Sequence, residues 1–237
     1  MKIRVVPEAR SLDPDTVAKC VVVAIDTLRA TTTIAVAVAS GALVETVKSI
    51  AEAKRRRKLN RVLIAGERGG RKIVGFDLGN SPAEIERAAL SGKRLVLTTT
   101  NGTGAIARSA AADAIFAGAL VNATAIARAV TKNRTRELVL LCAGRTTGVA
   151  LEDLVGAGAI IDALLPGPFD PLQLSDGARL SLELFRREKR RLHAFLCECE
   201  SGRNLLRIGS AEDVALCAAL DSVPVAPRLR RGAFVPG

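Results

Sequence analysis

The chain has no tryptophan, no tyrosine and only six phenylalanines in 237 residues. Proteins that hold single-stranded nucleic acid stack its bases on aromatic side chains, so this scarcity argues against that class despite a net charge of +11. Charge of this sign draws an anionic ligand or partner without specifying a fold. The one histidine, His193, lies in a charged helical stretch, which does not suit a histidine phosphatase or a histidine-based triad. The five cysteines, Cys20, Cys142, Cys197, Cys199 and Cys217, include no CxxC pair. Cys197 and Cys199, the closest two, face different sides of a helix, so neither a zinc cage nor a disulfide framework is expected. Reduced thiols and a cytoplasmic location are expected instead. No apolar run approaches the ~20 residues of a membrane span, because the longest, Ile34 to Val44, is broken by Ser40 and Gly41. MKIRVVPEAR meets charges and Pro7 before a signal-peptide core can form, so export and membrane insertion are not expected.

What is present is an ordinary globular balance, 49% hydrophobic and 25% charged. Short Val, Ile and Leu runs alternate with Ala-rich stretches of helical length, the pattern of strand-helix units on a mainly parallel or mixed sheet in an α/β/α sandwich. Strands are predicted near Ile3–Val6, Cys20–Ile25, Leu43–Val47, Val62–Ala65, Leu95–Thr98, Ala114–Ala117 and Leu138–Cys142. Helices are predicted over Thr31–Ser40, Ile50–Leu59, Pro82–Leu90, Gly102–Ala111, Ala123–Thr131 and Leu151–Leu164. Residues 1–165 therefore form an α/β region. In 166–237, the turn cluster PGPFDP precedes a charged helical stretch, Leu172–Glu200, which Gly177 interrupts and Ser201-Gly202 ends. A short helix at Ala211–Leu220 and a last strand at Val223–Ala226 complete the fold. The basic clusters Lys54–Lys58 and Arg186–Arg191 read as solvated helix faces.

Three apolar strands run into polar turns and then into Ala-rich helices: VVVAIDTLRATTT, RLVLTTTNGTGAI and ELVLLCAGRTTGVALED. At such junctions helix amides face the carboxyl ends of the strands, where an open parallel sheet keeps its ligand. None matches GxxxxGK[ST] or GxGxxG, so no nucleotide is implied. Asp26, directly after five apolar residues, needs a partner: a divalent cation, the Arg29 guanidinium, or only the following turn, which it would cap. Arg29 suits bidentate binding of an oxyanion, with the hydroxyls of Thr31 and Thr32 and the helix amides around it. In the second turn, Thr100 or Asn101 caps the helix and Asn101-Gly102-Thr103 offers backbone free to take positive φ as an anion nest. The polar loop AGERGGRKIVGFDLGNSPAEI holds Glu67, Arg68, Asp77 and Asn80. Its Ser81 and Glu84 are explained by a capping box, whereas Glu67, Arg68 and Asp77 are not. In the third, Arg145 precedes Glu152 and Asp153, an acidic pair in the first turn of a helix. With Asp26 and Glu67 it supplies hard oxygen ligands of the kind magnesium takes.

Together IDTLRATTTI, GERGG, GFDLGNSP, TTTNGT, the Asn in AGALVNA and CAG followed by LEDLVGAGA resemble the 2-phosphosulfolactate phosphatase family. The resemblance spans roughly residues 20–160 and is thinner beyond Pro166, where SGRNLLRIGSAEDVALC fits. It implies a magnesium-dependent phosphatase with two related α/β halves and the active site between them. That enzyme converts 2-phospho-3-sulfolactate to 3-sulfolactate and phosphate, a step toward coenzyme M. The resemblance adds Asn122 to the candidates. The expected roles are catalysis by Asp26, Arg29 and Asn101, and Mg²⁺ held from among Asp26, Glu67, Asp77, Glu152 and Asp153. The substrate would be bound by Thr31, Thr32, Arg68, Asn80, Thr100, Gly102, Thr103, Asn122 and Arg145, with Arg68 or Arg145 on the sulfonate or carboxylate. Attack by water and attack by Asp26 itself both remain open. So do another small phosphorylated acid as substrate and a non-catalytic anion binder. The expected partners are one small anionic substrate, no nucleic acid, no membrane, and a second copy in a homodimer.

Overall fold

The computed structural model describes residues 1–58, 62–165 and 173–237. The PGPFDP turn, Leu59 and Leu172 lie outside the described residues. In the first block, β1 (Lys2–Val6), β8 (Glu137–Cys142), β2 (Val21–Ile25) and β7 (Ala114–Gly118) lie side by side in parallel. In the second, β3 (Leu43–Thr46), β6 (Arg94–Thr98) and β4 (Val62–Arg68) are parallel, with a two-residue β5 (Arg71–Lys72) turned back on β4. A C-terminal hairpin of β9 (Pro227–Arg230) and β10 (Ala233–Pro236) stands between them, antiparallel to both, giving the order β1-β8-β2-β7-β9-β10-β3-β6-β4-β5.

The central helix of the molecule is α1 (Ala30–Ala39), whose sequence ATTTIAVAVA is apolar or threonine on every side, and such a helix is stable only when enclosed. It touches strands of both blocks as well as α3 (Pro82–Arg87) and α4 (Gly102–Arg108). The sheet curls around it. β2 and β6 stand five places apart in the strand order, ~24 Å in a flat sheet, and the three residues after β6 reach only ~10 Å. Yet a Cβ added at Gly102 would lie 2.7 Å from Asp26 Oδ2. Alternation along β2 sends Val22 and Ala24 toward α1, and Val21, Val23 and Ile25 toward an outer layer. That layer holds α5 (Ala123–Lys132), α6 (Leu151–Leu164) and α7 (Asp176–Glu188), while α2 (Ile50–Arg57) covers the second block.

Each predicted strand through Leu138–Cys142 is present, but Val223–Ala226 is not a strand; the hairpin after it is. Pro224 and Pro227 obscured the pairing segment, since proline reads as a breaker. Nor does Ser201-Gly202 end a helix. The charged segment divides into α7, α8 (Leu192–Glu198) and α9 (Glu200–Arg207), followed by α10 (Ala211–Cys217). Gly202 lies inside α9 because a Cβ there would fall 1.7 Å from the Leu196 carbonyl oxygen, so glycine serves close helix packing. Gly177 likewise sits within α7. The five cysteines are free. Among the described residues no helix is long and apolar enough to cross a membrane.

Candidate active site

The carboxyl ends of β2, β4, β6 and β8 open into one cavity of about 200 Å³. Seven predicted residues line it: Asp26, Arg29, Glu67, Asn80, Thr100, Asn101 and Arg145. A wall that the sequence reading missed comes from α9, through Ser201, Asn204 and Leu205. Its signal was present in SGRNLLRIGS, but nothing local tied that stretch to turns more than fifty residues away.

The β2–α1 turn is locked from within. Thr31 Oγ1 accepts from the Asp26 amide and donates to the Asp26 carbonyl, both at 2.9 Å, and Thr32 Oγ1 donates to the Thr27 carbonyl at 3.0 Å. Both threonines are buried behind the cavity rather than in it. Asp26 Oδ1 accepts from the Ala30 amide at 3.2 Å, so the capping interaction exists, and Oδ2 has no hydrogen-bond partner among the described residues. Asp26 does not pair with Arg29. The Arg29 fork is committed elsewhere, donating from Nη1 to Asp213 at 2.5 Å and from Nη2 to the Gly70 carbonyl at 2.7 Å. Asp213, on α10, also accepts from Ser81 Oγ at 2.6 Å and from the Ala83 amide at 3.2 Å. It is a buried strut between α10, α1 and α3, and its 184-residue separation from Arg29 hid it from sequence patterns.

Glu67 receives the Gly70 amide at 2.8 Å and the Thr100 amide at 2.7 Å, fixing the loops after β4 and β6 to each other. The second turn differs from the predicted nest. Asn101 is the N-cap residue of α4, as expected, but its side chain makes no capping bond; Thr99 Oγ1 accepts from the Thr103 amide at 3.2 Å instead. Gly102 is not at positive φ. Glycine is required there because a Cβ would press on Ala30 and Asp26 at 2.5 and 2.7 Å. The amides of Asn101 and Gly102 have no acceptor among the described residues. Arg145 donates to Ser201 Oγ and Glu200, while its buried Nε lacks a partner; so does the buried Oδ1 of Asn80.

The remaining candidates fall outside the cavity lining, each with a bonding pattern that explains it. Arg68 clamps β4 to β6 through the Thr98 carbonyl and hydroxyl. Asp77 accepts from Arg57 at 2.6 Å and from the Ile64 amide at 2.9 Å, pinning the loop before α3 to α2 and β4. Asn122 bonds the Ala119 amide and the Ala117 and Val225 carbonyls, with no polar atom left over. Asp153 accepts from the Thr27 and Gly144 amides at 2.9 and 3.0 Å, joining two of the polar turns. Glu152 is buried against Cys199, whose thiol is pushed up to about 12 by burial first and by this carboxylate second.

Four carboxylates therefore crowd beneath and around the cavity. Burial, then Glu67 and Glu152, push Asp26 up to about 6 against the lowering pull of the Ala30 amide and Arg29. Asp153 is raised well above the carboxylate range by burial, Asp26 and Glu152.

With the cavity described, its motif residues can be compared with known proteins. A sequence model of the family described as 2-phosphosulpholactate phosphatase matches residues 6–232. The chain belongs to the 2-phosphosulpholactate phosphatase family. Proteins named probable 2-phosphosulfolactate phosphatase resemble it along nearly their whole lengths. That of Carboxydothermus hydrogenoformans is 41% identical over 90% of this chain and 89% of its own. That of Deinococcus radiodurans is 40% identical over 100% and 96%, and that of Symbiobacterium thermophilum 38% over 91% and 93%. The family match thus reaches past the 20–160 region into α9 and α10, the segments that wall the cavity and hold Arg29.

Proposed function

We propose that the chain is a magnesium-dependent phosphoric monoester hydrolase that converts 2-phospho-3-sulfolactate to 3-sulfolactate and phosphate, a coenzyme M-type biosynthetic step. One observation carries this reading. Asp26 Oδ2, Asn80 Oδ1, Arg145 Nε and the Asn101 amide, none with a partner among the described residues, belong to residues that line one cavity of about 200 Å³, the scale of a small acid. Buried polar atoms are normally satisfied, and two of these, Asn80 Oδ1 and Arg145 Nε, are buried, which favours a polar ligand at this cavity.

The donors suit a hard cation with few protein ligands. Among the described residues no three Asp, Glu, His or Cys side chains form a metal cage. Magnesium commonly keeps several waters and takes one or two carboxylates plus substrate phosphate. Asp26 and Glu67 would hold it, with Asn80 Oδ1 as a further oxygen acceptor at the same cavity. When bound, the ion supplies charge stabilisation for the phosphoryl oxygens and the departing alkoxide. The chain's own groups do the rest. The Asn101 and Gly102 amides and the free Arg29 N–H groups orient the phosphoryl group, and Arg145 takes the sulfonate or carboxylate. The ionised Asp26 carboxylate would either orient the attacking water, or attack phosphorus as the P–O bond to the departing alkoxide breaks, water then hydrolysing the aspartyl phosphate to release phosphate.

Phosphate release from 2-phospho-3-sulfolactate should depend on magnesium and exceed release from other small phosphorylated acids. No release from any of them, with tight binding retained, would make the chain an anion binder instead. Single turnover in heavy-oxygen water separates the routes: label entering Asp26 marks covalent attack, and label confined to phosphate marks water.

A further inference from the structure

Along β7 and toward the amino ends of β2 and β8, on a face that shares no lining residue with the catalytic cavity, the charge pattern reverses. A cavity of about 560 Å³ opens there between α5 and the C-terminal hairpin. Half-buried Ala125 and Ala129 give it a small apolar floor with buried Phe116 and Ala226 beneath, and Arg128, Lys132, Arg228 and Arg230 line its rim. Its carboxylate, Asp221, is committed to Thr124, accepting from the amide at 2.7 Å and the hydroxyl at 2.6 Å. None of the four cations has an ion-pair partner among the described residues, and Arg228 lies over the Phe116 ring at 5.7 Å from its centroid. An adjoining cavity of about 480 Å³ shares Asn133 and Arg228 and adds Lys19, Arg134 and Arg136. Of its acids, Glu137 pairs with Arg4 at 3.2 Å, which leaves Asp113 alone facing the cations.

The backbone supplies an independent observation. Among the described residues four other than glycine have positive φ: Lys19 (67°), Arg134 (49°), Asp221 (55°) and Arg231 (50°). Three line these two cavities, and Arg231 follows Arg230 of the rim. The other nine positive-φ residues are glycine. Glycine suits such helix-end and hairpin-turn positions best, yet at Lys19, Arg134 and Arg231 the chain keeps a cation where backbone comfort favours none.

We propose that these cavities form one anion-binding groove, separate from the catalytic cavity, for a small organic polyphosphate with a flat apolar body, the size of a nucleoside triphosphate. Cations spaced along the groove match several linked charges, and the apolar floor matches the body. The volume is that of a small-molecule site. The one aromatic ring, Phe116, is covered by Arg228, so a run of stacked bases finds no platform. The inference does not rest on the phosphatase reading.

Equilibrium dialysis of the whole chain against ATP without divalent cation tests it, using wild type, Arg128→Glu/Lys132→Glu, Arg230→Gln, and Arg145→Gln in the catalytic cavity. The charge-reversal pair should weaken ATP binding ~10-fold or more, Arg230→Gln should weaken it less, and Arg145→Gln should leave it unchanged. Thermal melts show that each variant is folded. Equal binding by wild type and both groove variants would overturn the proposal, as would loss of binding on Arg145→Gln alone. So would absent ATP binding combined with retention of duplex DNA that the charge-reversal pair abolishes.

Discussion

The two ends of β2, β7 and β8 differ in how their charges are used. At the carboxyl end nearly every charged group is cross-braced: Arg29 by Asp213, Glu67 by two amides, Asp153 by two turns, and Arg145 by Ser201 and Glu200. Along β7 and at the amino ends seven cations stand around shared space with three acidic side chains, two of which are committed to Thr124 and Arg4. Bracing produces a small, ordered cavity with a few directed, unmet atoms, suited to chemistry on a compact ligand. Unbraced charge on a half-open surface is suited to binding. Removing a braced group should therefore disturb the fold or the reaction, whereas removing an unbraced one should disturb neither.

The largest expected effect is at Asp26. Asp26→Asn should lower turnover by at least ~10³-fold, and wild-type activity at saturating magnesium would refute its assignment. The same change should stabilise the metal-free protein. Asp26 titrates near 6 in the fold and at its ordinary 3.8 when unfolded, so the native state holds the proton more tightly. That contribution is full below pH ~4 and is lost as pH rises through 6. Asp26→Asn should recover on the order of 2–3 kcal/mol at pH 7 and almost nothing at pH 4, read by urea unfolding at the two pH values.

Asp213→Asn comes next. It strands the buried Arg29 guanidinium, so a loss of about 3 kcal/mol in stability is expected, with a fall in kcat/KM although Asp213 does not line the cavity. Unchanged melting would mean that Arg29 finds another partner. Arg145→Gln removes a charged donor from the cavity and should reduce kcat/KM by roughly 10- to 100-fold, chiefly through KM, with steady-state kinetics as the check. Gly102→Ala presses a methyl group on Asp26 and Ala30 and should cost about 1–3 kcal/mol, measured by chemical unfolding. The smallest effect belongs to the groove: Arg128→Glu/Lys132→Glu should alter stability by no more than ~0.5 kcal/mol and leave turnover at saturating substrate unchanged. A larger loss would show that those cations are braced after all.

The parallel strands were legible because each is a contiguous apolar run, and the three polar turns because each keeps its chemistry within a few residues. Five site residues followed from those turns, and Glu67 and Asn80 from the polar loop between them. What stayed hidden was non-local. Asp213 looked like an ordinary acid in the first turn of a helix, and Ser201-Gly202 looked like a stop. Asp77, Arg68 and Asn122 have the residue types of a site, yet their partners, Arg57, Thr98 and Val225, lie 20, 30 and 103 residues away. Sequence could show that these polar groups needed partners, but not whether a ligand or the protein itself would supply them.

The hairpin at 227–236 has a consequence for how the molecule is assembled. Among the described residues it alone joins the two parallel blocks by strand pairing, meeting β7 at Phe116 and β3 at Val44 and Glu45. During synthesis, a chain released from the ribosome only as far as residue 226 holds two partial sheets with no shared edge, so the catalytic cavity, walled from both, takes its final form only as the last strands arrive.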